Sequence, residues 1–375
     1  MSDHTAVTLT QELVRFPTIN PPGNESACAA YVGGILEGAG FRVTYREFDA
    51  ERTSLVARID GHEPGPPLCF TGHLDTVPLG AARWTRDPLR GEIGEGRLWG
   101  RGSSDMKSGV AAFVTAAVRV ARQRLPKAGL VLVITAGEET GCTGAADLAR
   151  QPGMLGQAGA MIVAEPTSNY PCVGHKGALR LDAITRGITA HGSMPEQGDN
   201  AVYTMARAIP RLEAFDFGVP AHRVLGRPTL NVGTIHGGLN INSVPDECVA
   251  GIDIRTIPGQ SHEGLMSALS TCVGPDVELV STRWVTGVWT EPATAWVQDV
   301  FDIMAPLLGE RPDARALPYF TDGSILAEAY GGAPTVILGP GEAAQAHQTD
   351  EYCLVERIEQ AAEAYTRIAQ RWCGL

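Results

Sequence analysis

The sequence predicts an α/β protein: a mixed, mostly parallel sheet flanked by helices and interrupted by a smaller α+β domain. Three observations predict it. Short, wholly apolar runs such as "GLVLVITAG" and "GAMIVAE" alternate with segments of helical period, the pattern of strands buried on both faces. From residue 175 onward these runs give way to alternating strands of the "GALRLDAITRG" kind. Helical and buried-strand patterns then return from 292 to the end. The simplest topology is a discontinuous α/β domain, residues 1–174 and 287–375, with a second domain, 175–286, inserted into it.

In chain order, residues 5–16 place Val7, Leu9, Leu13, Val14 and Phe16 at helical spacing and end at the breaker cluster "PTINPPGN". A helix over 24–39 follows, capped by Asn24 and closed by Gly40. "FRVTYREF", "SLVARID" and "PLCFTGHLD" are short strands bounded by Gly, Pro or Asp, and Gly72 is expected to let the last one turn outward before His73. "SGVAAFVTAAVRVARQ" is a helix leading into "GLVLVITAG", and "GAMIVAE" repeats that style after a further helix. The inserted domain reads strand, helix (199–214), strand ("TLNVGTIHGG"), strand ("CVAGIDIRTIP"). Helical spacing resumes at 292–308, "APTVILGPG" is a buried strand, and a last helix follows Val355.

Composition narrows the function. The chain has 375 residues, 44% of them hydrophobic, enough for two domains that each bury a core. A net charge of −12 argues against nucleic acid or an anionic membrane as partner. The eight cysteines are scattered without a CxxC, so reduced thiols are expected rather than a zinc ribbon or a disulfide framework. The start "MSDHTAVTLTQELVRFPTINPPG" has no charged segment followed by an apolar one, and no run reaches the ~18 apolar residues of a membrane span. The expectation is a cytoplasmic protein.

Several strand-like runs end in a metal-capable residue: His73 and Asp75 after "CFTG", Glu138 and Glu139 after "VLVITAG", Glu165 after "MIVA", and His347 beyond "TVILGPG". In open α/β sheets ligands bind beyond the carboxyl ends of the strands, so these side chains are placed to converge. "WGRGSSDMKSG" adds Asp105 between a Gly-rich turn and a helix. A lone strand-end His or Glu is more often a solvated terminus. Adjacent carboxylates at the end of a buried strand, however, cost energy unless a cation compensates. Zn²⁺ accepts both imidazole nitrogen and carboxylate oxygen. Two ions sharing one carboxylate would use five ligands, the number supplied by His73, Asp105, Glu139, Glu165 and His347, with Glu138 left to handle a proton.

These segments, "GHLDTVP", "GRGSSDMKSG", "GEETG", "AEPT" and "AHQTDE", resemble the zinc-dependent amidohydrolases and peptidases that include acetylornithine deacetylase, succinyl-diaminopimelate desuccinylase, aminoacylase and carboxypeptidase G. The likeness covers nearly the whole chain. It implies a zinc-exopeptidase-like catalytic domain and a ferredoxin-like lid that also forms a homodimer. It implies two Zn²⁺, replaceable by Co²⁺ or Mn²⁺: His73 and Glu165 on one, Glu139 and His347 on the other, Asp105 bridging. Asp75 would orient His73 by accepting its remaining ring N–H, and Glu138 would take a proton from the attacking water and pass it to the departing amine. His191, in "ITAHGSMPEQGDNAV", would donate to the scissile carbonyl oxygen; a surface histidine before a turn is the alternative. Asn242 and Arg255 are implied binders of the substrate's carboxylate or acyl oxygen, with a structural ion pair as the competing reading for Arg255. The backbone of Gly339 to Gly341 is expected to approach the ligand closely.

Ser108 stands where the family commonly has Gly, and Gln348-Thr349 where it often has Thr-Pro; neither change removes a ligand. Thr321, Asp322 and Ser324 lie where relatives differ in substrate contacts, and an aspartate there would favour a cationic side chain. A helix N-cap is the alternative for Asp322 or Ser324. The implied reaction is hydrolysis of the amide of a small N-acyl amino acid, with a dipeptidase or glutamate-releasing carboxypeptidase as the alternative. A binding protein that kept the fold would have no use for Glu138, and a phosphoesterase would need more basic residues around the motifs.

Overall fold

Two apolar hexapeptides, Leu68–His73 and Leu130–Thr135, are buried along their whole length and lie side by side as parallel strands. The structure, a computed structural model, describes residues 4–123 and 127–375. Among the described residues the central sheet has nine strands. Their order is Arg42–Asp49, Arg52–Ile59, Leu130–Thr135, Leu68–His73, Ala160–Val163, Thr335–Ile337, Cys172–His175 and Val288–Trp289, with Arg315–Leu317 paired onto Cys172–His175. Ala160–Val163 runs parallel to both Leu68–His73 and Thr335–Ile337. All four central strands therefore finish at one edge of the sheet. His73 pairs with Thr135, and Val163 pairs with both Thr71 and Ile337. That register brings the segments after Thr135, Val163 and Ile337 to His73, where parallel sheets hold their ligands.

The helix Ser108–Ala121 and Met106 just ahead of it pack so closely on this edge that two glycines provide the room. A Cβ on Gly72 would come within 2.6 Å of Met106 Cε, and one on Gly109 within 2.3 Å of the Ala164 carbonyl oxygen. Gly72 thus serves packing, not the outward turn expected of it. The sheet end, Ser108–Ala121 and the C-terminal helix Val355–Cys373 share one core that includes Phe70, Phe113, Ile358 and Tyr365. The charged outer strand Arg42–Asp49 discourages further pairing at the sheet's edge.

The first helix, Ala6–Val14, is capped by Thr5 in a reciprocal bond with Thr8. The second, Ser26–Gly38, corrects the expected Asn24 cap: Glu25 occupies the N-cap position without a side-chain cap bond. Its buried carboxylate accepts from Arg52 Nε at 2.8 Å instead.

The chain divides into two units. The first comprises the described residues up to Gly174 with Val288–Arg315 and Thr321–Leu375; the second is His175–Gly287 with Ala316–Phe320. The second unit has an antiparallel sheet in the order Thr229–Gly237, Glu247–Thr256, Gly177–Arg186, Val277–Val285. Glu247–Thr256 alternates buried and partly exposed residues, as a sheet with one covered face does. The helices Ala201–Glu213 and His262–Val273 supply the cover, packing Met205, Leu212, Leu265 and Leu269 against Leu179, Leu181, Ile252 and Ile254. The helix His262–Val273 and strand Val277–Val285 extend the strand, helix, strand, strand order expected from the sequence. All eight cysteines are free, and no helix among the described residues is long and apolar enough to cross a membrane.

Candidate metal centre

His73 ends its strand with both ring nitrogens engaged. Nδ1 lies 2.9 Å from the Asp75 backbone oxygen. A carbonyl only accepts, so Nδ1 carries a proton and Nε2 is the nitrogen that can bind a metal once it is deprotonated. Nε2 faces Asp105 Oδ1 at 3.3 Å and Glu165 Oε1 at 3.7 Å. The Asp75 carboxylate is 3.6 Å from Nδ1 and is occupied elsewhere, which corrects the role expected of it. Its Oδ1 accepts the amide hydrogens of Gly137 and Glu138 at 2.8 and 3.0 Å. Its Oδ2 accepts those of Glu139, at 3.1 Å, and of the Asn20 side chain, at 2.8 Å. The backbone of Asp75 orients His73 while its carboxylate holds the loop that carries Glu138 and Glu139.

Asp105 lies just after the left-handed Gly102, ahead of the helix Ser108–Ala121. Its two oxygens face different histidines: Oδ1 faces His73, and Oδ2 lies 3.5 Å from His347 Nε2. His347, at φ +64°, also lies 3.1 Å from Glu139 Oε2. Atoms of His73, Asp105 and Glu139 lie within 4.8 Å of one another, as do those of His73, Glu138 and Glu165. The structure thus gathers all five expected ligands and Glu138 into one cluster.

The electrostatics of this cluster call for a cation. Burial, reinforced by neighbouring carboxylates, pushes Glu138 and Glu165 well above the usual carboxylate range against the pull of His73. Burial works against a charged His73, yet the bond to Asp105 and the charges of Glu165, Asp75 and Glu138 outweigh it and raise its pKa well above normal. Asp105 alone among the cluster's acids is lowered: burial opposes its charge, but its bond to His73 and both imidazoles override that. Glu139 Oε1 is buried without a hydrogen-bond partner among the described residues, and Asp105 Oδ1 is buried with His73 Nε2 beside it at 3.3 Å. Buried carboxylates crowded around two imidazoles, with no thiolate in either group, fit divalent ions of the zinc, cobalt or manganese type.

The glycine loop after Thr335–Ile337 braces the cluster. A Cβ on Gly339 would sit 2.3 Å from the Ala164 oxygen and 2.4 Å from that of Glu165, and one on Gly341 would sit 2.1 Å from the Ser104 oxygen. The close approach expected here is thus to the backbones carrying Glu165 and Asp105. Asp322 is 2% exposed, accepts from Thr135 Oγ1 and makes no side-chain cap bond to the helix Gly323–Ala329. It occupies the N-cap position of that helix, with its backbone oxygen rather than its carboxylate accepting from the first turn. Burial pushes its pKa up to about 6. Thr321 accepts from the Gly323 amide at 3.0 Å, and both Thr321 and Ser324 are buried. The sequence reading also passed over Cys142, whose Sγ lies 3.9 Å from Glu138 Oε1, and over Asn20 behind Asp75. The turn cluster around Asn20 gave no chemical signal.

A family profile described as "Peptidase family M20/M25/M40" matches residues 69–371. The chain belongs to this family. As an M20 member it is a metal-dependent hydrolase of amide bonds, and the central sheet with a separate antiparallel sheet is the family's architecture. The chain is 31% identical over 356 residues to acetylornithine deacetylase of Salmonella typhimurium, covering 91% of this chain and 90% of that one. Its fold is similar to an M20-family metallo-carboxypeptidase of Sulfolobus solfataricus, with TM-score 0.82 and 17% identity over 99% of this chain and 100% of the other. It is also similar to a dinuclear metal-binding M20 peptidase of Bacillus subtilis, with TM-score 0.74 and 14% identity over 98% of each chain.

The remaining expected residues of this M20 chain belong to its second unit. His191 bridges to Ser243, and the amide of Gly192 donates to the Asn242 oxygen at 2.8 Å, so His191 and Asn242 share one local ladder. His191 Nδ1 accepts from the Ser193 amide at 3.2 Å and contacts its hydroxyl at 2.7 Å. Arg255 forms the ion pair that competed with substrate binding: Nε and Nη2 donate to Asp253 at 2.7 and 3.3 Å.

Proposed function

We propose that this M20 hydrolase removes the acyl group from a small N-acyl amino acid, giving a free amine and a carboxylate, as the name of its acetylornithine deacetylase relative says of that protein. The observation that carries this reading is the split environment of Asp105: one oxygen faces His73, which also faces Glu165, and the other faces His347, which also faces Glu139. His73 and Glu165 would hold one divalent ion, His347 and Glu139 a second, and Asp105 both; Zn²⁺ suits the donor set, with Co²⁺ or Mn²⁺ as substitutes. Bound there, the ions supply Lewis acidity and a water acidic enough to ionise near neutral pH.

The chain's own residues handle the protons. Glu138 takes one from the attacking water and returns it to the amine nitrogen as the C–N bond breaks. Its buried, acid-crowded position raises its pKa, which suits a group that must keep a proton between the two steps. Asp75 holds the Glu138 backbone while this happens. Because His191 Nδ1 accepts from Ser193, its proton sits on Nε2, the form needed to donate to a carbonyl oxygen. Asn242 is the second candidate for substrate polar groups. Residues 175–286 form the lid and self-association domain in this reading. Its support is the outer strand Thr229–Gly237, with Ile235, Leu239 and Ile241 exposed on it and just beyond. Eight unpaired thiols support a reducing, cytoplasmic setting.

Steady-state assays of N-acetylornithine, N-succinyl-diaminopimelate, neutral N-acyl amino acids and dipeptides test the reading. Turnover concentrated in the N-acyl amino acids is expected. Preference for dipeptides or for release of C-terminal glutamate would overturn it in favour of an exopeptidase.

A further inference from the structure

Glu351 is fully buried yet belongs to neither metal group. Its carboxylate gathers four donors. Oε1 accepts the amide hydrogens of Ser104 at 2.7 Å and of Asp105 itself at 3.0 Å. Oε2 accepts from the Gly102 amide at 2.9 Å and from Arg101 Nη1 at 2.7 Å. The Glu351 backbone oxygen accepts from the Gly100 amide at 2.9 Å. Arg101, 2% exposed, ties in the neighbouring segments: Nη1 reaches the Gln348 oxygen at 3.2 Å, Nη2 the Pro78 oxygen at 3.1 Å, and the guanidinium lies over Trp84.

Glu351 also lies one short turn of chain beyond His347. His347 is half exposed, and its own side-chain contacts are the two acids of the cluster, Glu139 and Asp105. A single carboxylate therefore joins the loop of one cluster residue to the segment of another. We propose that Glu351, clamped by Arg101, is the positioning residue that sets Asp105 against His347 for joint metal binding. This rests on the reading of Asp105 and His347 as ligands. A carboxylate is required because both oxygens face N–H donors; an amide would turn an NH₂ group toward two of them.

The test titrates metal-free full-length protein with Co²⁺, following the visible absorption band and melting each metal-free variant in parallel. Glu351→Gln is expected to weaken cobalt binding about tenfold or more and to alter the band, with Glu351→Asp recovering part of the loss. Wild-type affinity and an unchanged band in Glu351→Gln, with only the metal-free melting temperature lowered, would overturn the proposal. If Glu351→Gln does not fold, the same comparison is made on Glu351→Asp, where wild-type affinity and band overturn it equally. Asp105→Asn separates the two claims: cobalt binding unaffected by that change would remove the ligand assignment, whatever Glu351 does.

Discussion

Asp75 Oδ1 accepts the amide hydrogen of Glu138 at 3.0 Å, so the acid proposed to move the proton has its backbone fixed by the residue beside the first histidine. Asparagine at 75 keeps the size but turns one acceptor into a donor facing these N–H groups. Asp75→Asn should lower kcat/KM by about 10- to 100-fold with KM little changed. Steady-state kinetics check this; a variant matching wild type would show that the amide contacts do not govern the position of Glu138.

Without metal, the cluster should make stability fall as pH rises. Glu138 and Glu165 have folded pKa values raised well above 4.5, so above that pH the folded state holds protons that the unfolded chain releases. His73, raised above 6.5, adds the same sign of dependence above that pH. Melting of the chelator-treated protein should therefore drop progressively from the carboxylate range through neutrality. Restored Zn²⁺ should flatten or reverse the trend, because ligands bind metal in their deprotonated forms. A metal-free melting temperature that rises with pH across this window would contradict the charge balance described.

His191→Gln should lower kcat by about 10²- to 10³-fold, the usual effect of losing one donor to a developing oxyanion, while metal content stays at the wild-type value. Metal analysis and kinetics on one preparation separate these effects. Full kcat in the variant would return His191 to a surface histidine before a turn.

Asp322→Asn should leave the ratio of kcat/KM values for basic and neutral N-acyl amino acids nearly unchanged, because the carboxylate is buried against Thr135. A selective loss of N-acetylornithine turnover would restore the charge-recognition role that its position in the sequence invited.

The proposed ligand set was legible because each of its residues follows a marked strand or a glycine turn, and parallel register carries strand ends to a common edge. His73, Glu139 and Glu165 need little more than that rule. The contacts of Asp75 and Glu351 were not legible, since both carboxylates meet backbone amides and no side-chain pattern records which amides a carboxylate will meet. Gly72 was misread for a related reason: the constraint comes from Met106 and Val110 on another element. The helix His262–Val273 and strand Val277–Val285 lacked the continuous apolar runs that marked the central strands; both keep polar residues on an exposed face. Asp322 stands out in the sequence as a polar residue among its neighbours, but its burial against Thr135 is visible only in the structure.

The central claim is that Glu138 moves the proton at a centre whose ions are held by other residues. Metal content and N-acyl amino acid hydrolysis, measured side by side in wild type and Glu138→Ala, test it most directly. The account predicts two equivalents of divalent metal per chain in both proteins, with turnover in the variant reduced by about 10²- to 10⁴-fold. Turnover retained in Glu138→Ala, or metal lost together with that carboxylate, would contradict it.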